Sequence, residues 1–472
     1  MNLKLKNVLF LLTFIIIQSS LFGQPLKIKF KIEGLPNQDI IIAHHFGENT
    51  LVDDTLHLNN DGYGVMERDT LLPKGLYLCI YPDHTYFEFI LDDDQKFEIE
   101  TTIGKSADEY IKNMSIKGSQ INEVFFDYQL FMVDLNQQSN DLRQALKSDP
   151  NNKELKDKIE NLNTLVKNKW SDIKINYPGT FMSKMLIGLQ DIEVPDPPKD
   201  ENGNITDSLF QYNYYKDHFF DNIDFSDNQL LYSPIYHRKL QYFFEKIVAK
   251  RPDSVIAASD RLLQKLDGNT KYFQYTLAHI FNKYANSNYM GFDKVMVHLA
   301  DTYYLNGKAD WVSQKYLTKL KERVDKLRPN LIGTVAPRLD KMQSVEGYFY
   351  PLHDIKAKYV VVAFWEPGCG HCKKEIPQLH EEVFIGLHDY DVQVYAVYTQ
   401  SDFKEWTEFL EKKSLLDWVN VWDPNNFTNF RNKYDVYSTP TLYLLDKDKK
   451  IIAKRVDVKT IISIINEKEK QK

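Results

Sequence analysis

Cysteine is scarce in this chain: Cys79, Cys369 and Cys372 are the three among 472 residues. Three cysteines cannot build the disulfide framework of a small secreted scaffold, and a chain of this length needs none. Two close cysteines and one distant one read instead as a redox pair and a spare. A basic surplus is missing too. Lys and Arg number 59 against 66 Asp and Glu, for a net charge of −7. Phosphate backbones bind to basic surfaces, so nucleic acid is not an expected partner. Long apolar runs are absent beyond the first 23 residues, so no later stretch is expected to span a membrane. The histidines do not assemble a site. His44-His45, His218, His237, His279 and His298 are scattered, with no i,i+4 pair beside an acid. Neither a metal nor an organic cofactor is expected.

What is present is ordinary globular composition, 43% apolar and 26% charged, with 29 Tyr and 28 Phe that argue against disorder. The length suggests about three domains. Residues 1–23 read as a signal peptide. Lys4 and Lys6 supply the positive start, Val8 to Ile17 is apolar apart from Thr13, and Ser19, Ser20 and Gly23 offer small residues for cleavage before Gln24. The apolar stretch is short of the roughly 20 residues that a transmembrane anchor needs. No cysteine stands near the cleavage point to take a lipid.

Residues 24–104 are expected to form an antiparallel β-sandwich. Lys27 to Ile32 alternates with period two; Ile40-Ile41-Ile42, Gly75 to Tyr81 and Tyr86 to Leu91 are further strands. Asn59-Asn60-Asp61-Gly62 and Asp92-Asp93-Asp94 are turn punctuation. Cys79 lies inside one of these strands and reads as a buried structural thiol. Residues 105–330 change to helical spacing, as in Leu240, Phe243, Phe244, Ile247 and Val248, and are expected to be all-α. Pro195 to Gly203 must be a loop, and Arg251-Pro252 opens a fresh helix. Residues 331–472 alternate strand and helix. Tyr359 to Phe364, Val392 to Val397 and Thr441 to Leu445 are apolar runs, with helices at Lys373–Leu387 and Phe403–Lys413 between them. That pattern indicates an α/β sheet covered on both faces. The fold class is therefore multidomain α+β.

The chemistry sits at Cys369-Gly370-His371-Cys372. Zinc sites also use Cys-X-X-Cys, but normally as two pairs or with spaced histidines. Here one pair follows a buried strand and opens a helix. Three-residue spacing on a helix brings two sulfurs within disulfide reach. A cysteine at a helix N-terminus is stabilised as thiolate by free N–H groups and the dipole. Cys369 is thus the expected nucleophile and Cys372 the buried resolving thiol. Gly370 would permit the tight turn. His371, when protonated, would favour the thiolate, and stabilising the reduced form makes the disulfide more oxidising. A solvent-facing bystander is the plainer reading of His371.

The stretch Val361 to Pro377, with Phe364-Trp365-Glu366-Pro367-Gly368 before the cysteines, resembles the active-site segment of the thioredoxin superfamily, closest to its TlpA/ResA-like extracytoplasmic branch. Pro377 falls where thioredoxins carry a helix-kinking proline. Glu375 falls where the branch has a buried acid, which implies a proton acceptor for the resolving thiol. Two departures stand out. Ala363 occupies the place of thioredoxin's buried strand carboxylate. Gly368 replaces the usual tryptophan before the first cysteine, so an aromatic shield for the pair would have to come from Trp365. Thr439-Pro440 matches the cis-proline loop that faces the disulfide, and its backbone would pair with substrate. Residues 24–104 resemble the β module of exported thioredoxin-like proteins, through a Gly-centred turn and a Pro-Lys-Gly-Leu-Tyr hairpin.

The resemblance implies a C-terminal thioredoxin fold and thiol–disulfide exchange with protein thiols and disulfides. The expected setting is the periplasm or cell envelope of a Gram-negative bacterium, with a membrane thiol relay as electron donor. The Gly-His dipeptide is that of protein disulfide isomerases, whereas the branch favours reduction; reductase is preferred slightly. Peroxidase activity is disfavoured, since it needs a lone peroxidatic cysteine. The rival of another class is an envelope binding or scaffold protein with an accessory redox domain.

Overall fold

The structure is a computed structural model that describes residues 25–104, 107–267 and 270–470; the expected signal peptide, residues 1–23, lies outside them. The described residues fall into two compact units, 25–248 with 266–275 and 249–265 with 276–470. The helical stretch thus contributes to both.

In the first unit, β1 (Leu26–Glu33), β2 (Asp39–Phe46), β3 (Asn49–His57), β4 (Tyr63–Arg68), β5 (Gly75–Ile80), β6 (Tyr86–Leu91), β7 (Lys96–Thr102) and β8 (Ser115–Lys117) make two four-stranded sheets, ordered β4-β1-β7-β8 and β3-β2-β5-β6. Period-two alternation buries one face of each. Leu26, Ile28, Phe30 and Ile32 of β1 pack with Ile40 and Ile42 of β2, with Tyr77 and Cys79 of β5, and with Phe87 and Phe89 of β6. This is the expected sandwich, with two corrections. β1 and β7 pair parallel, because β2 to β6 lie between them in sequence and supply the long connection that a parallel pair needs. β8 belongs to the same sheet through β7, although it falls in the stretch expected to be all-helical. Gly62 takes φ +70° in the β3–β4 turn, where a Cβ would sit 2.2 Å from the Ile32 carbonyl oxygen.

The helices Gln120–Ser148 and Lys153–Asn176 follow. The first is tied to β6 by fully buried Asn122. Its side chain accepts from the Ile90 N–H at 2.7 Å and donates to the Ile90 carbonyl at 2.8 Å, satisfying both main-chain groups.

The second unit carries the helices Pro252–Lys265, Asp293–Leu299 and Gln314–Leu327, then a five-stranded sheet. Its strands are β9 (Tyr359–Trp365), β10 (Val392–Tyr398), β11 (Val419–Trp422), β12 (Thr441–Asp446) and β13 (Ile451–Lys454), ordered β11-β10-β9-β12-β13. β9, β10 and β11 run parallel; β12 is antiparallel to β9, and β13 to β12. Every residue of β9 is buried, so the apolar run needs no alternation. Val361, Ala363 and Trp365 face a core made with the helices Cys372–Gln378, Phe403–Lys413 and Val458–Lys470. Val360, Val362 and Phe364 face a second core with Leu339, Leu352, Phe430 and Tyr434. Burying a side chain of this size contributes roughly 1.5–3 kcal/mol. Both faces of the sheet are covered, as the pattern predicts.

Candidate active site

The site lies past the C-terminal end of β9, and the topology explains why. Parallel β10 delivers its own C-terminal end there, with Tyr398 opposite Trp365. Antiparallel β12 delivers its N-terminal end, with Thr441 opposite Phe364. Three loops therefore converge: Glu366 to His371, Thr399-Gln400 and Ser438 to Pro440. The Thr439-Pro440 bond is cis.

Cys369 and Cys372 come together as free thiols. The Cys372 N–H points at Cys369 Sγ at 3.3 Å, and Cys369 Sγ lies 3.1 Å from the Thr439 carbonyl oxygen. The helix Cys372–Gln378 begins one turn later than Cys369, whose carbonyl accepts from the Lys373 N–H at 3.1 Å. The two sulfurs differ in acidity. Burial pushes the half-exposed Cys369 thiol up, but hydrogen bonds involving Cys372, Thr439 and the His371 main chain outweigh it, and the thiol ends below its ordinary value. Cys372 is fully buried. Burial, then its hydrogen bond with Cys369, push it up to about 12.

The remaining expected residues are placed as follows. Pro440 and Glu375 line a cavity of about 380 Å³ beside Tyr437, Ser438 and Asp457. Glu375 is half-buried, and desolvation holds its carboxyl above the usual range. Its Oε1 accepts from the Val458 N–H at 3.3 Å. Pro377 is inside the helix, which carries on over Leu379–Ile385 with wider, π-type turns, as a missing N–H allows. His371 caps the helix with its main chain, and its side chain is exposed. Two expectations need correction. Trp365 stands on the core side of the pair and not on its solvent side: it is wholly buried in the cluster that holds Cys372, with its ring against Tyr398 and Phe409 at centroid distances of 6.3 and 5.1 Å. As the last residue of β9, facing the core, it offers no surface to the solvent. Gly370 is not required by the turn, since its φ lies outside the left-handed region and a Cβ there would meet nothing within 4 Å.

Sequence reasoning missed Glu366, Thr399 and Asp435. Glu366 Oε1 accepts from Thr439 Oγ1 at 3.2 Å, and Oε2 accepts from Thr399 Oγ1 at 3.3 Å and from Gln400 Nε2. The available signal was its place: an acid at the first position after a fully buried central strand. Asp435 is buried at φ +50°, held by Arg323 Nη1 at 2.8 and 3.0 Å and by Arg455 Nη2. Arg323 also donates to the Tyr437 hydroxyl at 3.1 Å. Such a network joins residues about 112 apart in sequence and leaves no local pattern.

A buried central strand, a Cys-X-X-Cys pair of unequal acidity at its end and a cis-proline facing the pair define the thioredoxin-like class of thiol–disulfide oxidoreductases. Comparisons with known proteins agree. Residues 332–454 match the AhpC/TSA family, and residues 164–330 match a domain of unknown function, DUF5106. The thiol–disulfide oxidoreductase ResA of Bacillus cereus is 26% identical over 145 residues, 31% of this chain and 76% of the relative. ResA of Bacillus thuringiensis is 28% identical over 140 residues, 29% of this chain and 73% of its own. Among solved structures, a domain of a possible thiol–disulfide isomerase from Cytophaga hutchinsonii is 38% identical, covers 30% of this chain and 96% of its own, and has a TM-score of 0.29. A thioredoxin-like protein from Bacteroides caccae is 18% identical and covers 59% of this chain and 98% of its own, with a TM-score of 0.43. On the site geometry, the family match and the two ResA relatives, the last third of this chain is a thioredoxin-like domain, and the protein is a thiol–disulfide oxidoreductase.

Proposed function

We propose that the protein acts outside the cytoplasm, exchanging disulfides with protein substrates through Cys369 and Cys372, chiefly as a reductase. The observation that carries the exchange chemistry is the split between a partly exposed Cys369, whose sulfur meets the Cys372 N–H and whose thiol is acidified, and a buried, weakly acidic Cys372. An acidified Cys369 by itself favours the oxidising direction, so the preference for reduction rests on the resemblance to ResA. The Cys369 thiolate attacks one sulfur of a substrate disulfide. A mixed disulfide forms, and the other substrate sulfur leaves as a thiolate that takes up a proton. Cys372 then loses its proton and attacks Cys369 Sγ. The substrate departs as its second thiol, and the enzyme keeps the disulfide. Two electrons have passed to the substrate, and a membrane thiol relay returns them.

The proton of Cys372 needs an acceptor, and Ala363 supplies none. Glu375 is assigned that role, through solvent in the adjoining cavity. Its raised carboxyl is a better base than an ordinary carboxylate. The main chain beside Pro440 would hold the substrate as a short extended segment. His371 adds positive charge near the thiolate when protonated.

The test is insulin-type disulfide reduction with a dithiol donor. Cys369→Ser abolishes it, and Cys372→Ser accumulates mixed disulfides with clients. If the wild type exchanges with no donor, the protein is instead an envelope binding protein with an accessory redox domain.

A further inference from the structure

Thr439 carries one hydroxyl proton, and several acceptors surround it. Its Oγ1 donates to Glu366 Oε1 at 3.2 Å. The same residue abuts Cys369, whose Sγ lies 3.1 Å from the Thr439 main-chain carbonyl oxygen, and its side chain favours the thiolate form of both cysteines. Glu366 is well anchored for this contest. Its other oxygen accepts from Gln400 and, at 3.3 Å, from the Thr399 hydroxyl, which is shared with the Trp365 carbonyl at 3.2 Å, and its main-chain carbonyl accepts from the Cys369 N–H at 3.3 Å. Thr399 is itself fixed, with its N–H 3.0 Å from the Trp365 carbonyl and its own carbonyl 2.7 Å from Arg431 Nη2. The carboxylate thus joins all three loops of the site, and it meets the cis-proline loop through the hydroxyl that a thiolate would also claim. A hydrogen bond to an ionised acceptor is roughly twice as strong as one to a neutral acceptor. The carboxylate therefore keeps the proton until the sulfur is charged as well.

We propose that Glu366 is a positioning residue that sets the acidity of Cys369 by competing with its sulfur for the Thr439 hydroxyl. The inference rests on Cys369 being the reactive thiol. When Cys369 is a thiolate, the hydroxyl turns toward sulfur and Glu366 keeps its bonds to Thr399 and Gln400. When Cys369 is bonded in a mixed disulfide, the hydroxyl returns to Glu366. No bond forms or breaks in this exchange beyond the hydrogen bonds.

The test is the pH dependence of Cys369 alkylation by iodoacetamide in full-length protein, with Cys372 changed to Ser throughout so that one thiol is read. This readout does not depend on turnover with a protein client, so it separates failure of this inference from failure of the proposed exchange activity. Glu366→Gln weakens the competing acceptor and lowers the half-titration pH by on the order of half a unit, about threefold in thiolate at a fixed pH below it. Thr439→Val removes the shared donor and raises it. In the Thr439→Val background, Glu366→Gln has little further effect. Glu366→Asp keeps the charge but shortens the reach, and it follows the Gln variant rather than the wild type. An equal shift from Glu366→Gln with and without the Thr439 hydroxyl overturns the proposal, because the carboxylate would then act by charge alone. So does an unshifted titration in Glu366→Gln.

Discussion

At the scale of single residues, the site is built on an imbalance between two thiols three positions apart. Cys369 sits where main-chain N–H groups reach its sulfur, while Cys372 is one turn further into the core. Spacing alone made that split legible. The behaviour of Glu375 follows from its burial. Desolvation raises its carboxyl above the ordinary value, and the Val458 N–H only partly compensates. Ionising it at neutral pH therefore costs the folded state. The stability tied to its protonated form is complete below the ordinary carboxylate value and is lost as pH rises through the raised one. Glu375→Gln, whose amide oxygen can keep the Val458 bond, should unfold at higher urea than the wild type at neutral pH. The gap should close as pH falls below the carboxylate range. It should also slow resolution of the mixed disulfide. A urea difference that ignores pH would mean that the carboxyl is solvated. Glu366 and Trp365 mark where the sequence is harder to read. Both stand beside the motif, yet which one faces the site depends on the pleat of β9, and the last residue of a strand can turn either way.

At the scale of elements, the strands of the second unit were legible because β9, β10 and β12 are buried on both faces and so appear as apolar runs, interrupted in β10 by Gln393. β3 left no such mark. Eight of its nine residues are not buried, Leu56 being the exception, and as an edge strand it pairs with β2 alone. β4 is short and interrupted by Gly64. The network around Asp435 is equally silent in sequence, although it governs the loop that carries Pro440. Arg323 comes from the helix Gln314–Leu327, Arg455 from the end of β13, and both meet one buried carboxylate. Asp435 lies at a left-handed φ and so adds local strain that these bonds must offset. Asp435→Asn leaves two arginines with a neutral partner. It should cost about 2 kcal/mol, in the range of hydrogen bonds to charged groups. The urea midpoint should fall, and disulfide exchange should slow while the Cys369 alkylation profile moves little. A variant as stable as the wild type would show that packing around Tyr434 and Val436, and not the ion pairs, fixes the loop.

At the scale of the whole molecule, the chain joins one recognisable chemistry to two regions that the sequence describes only as architecture. The β-sandwich was expected from alternation, but its parallel β1–β7 pair was not, because strand pairing across some 70 residues has no local signature. Among the described residues no helix is long and apolar enough to cross a membrane. The export proposal rests on residues 1–23, whose charged start and short apolar run resemble a cleaved leader. That proposal has a chemical corollary. A pair that donates electrons outside the cytoplasm must be re-reduced there, where glutathione and thioredoxin do not hold thiols reduced. In growing cells quenched with acid and then alkylated, the Cys369–Cys372 pair should be mostly reduced. It should become oxidised when the membrane thiol relay is depleted, and the recovered protein should begin at Gln24. Protein that keeps Met1 and a pair indifferent to the relay would remove both the export proposal and the proposed electron source. A pair found oxidised even with the relay intact would instead reverse the direction, making the protein a donor of disulfides to its clients.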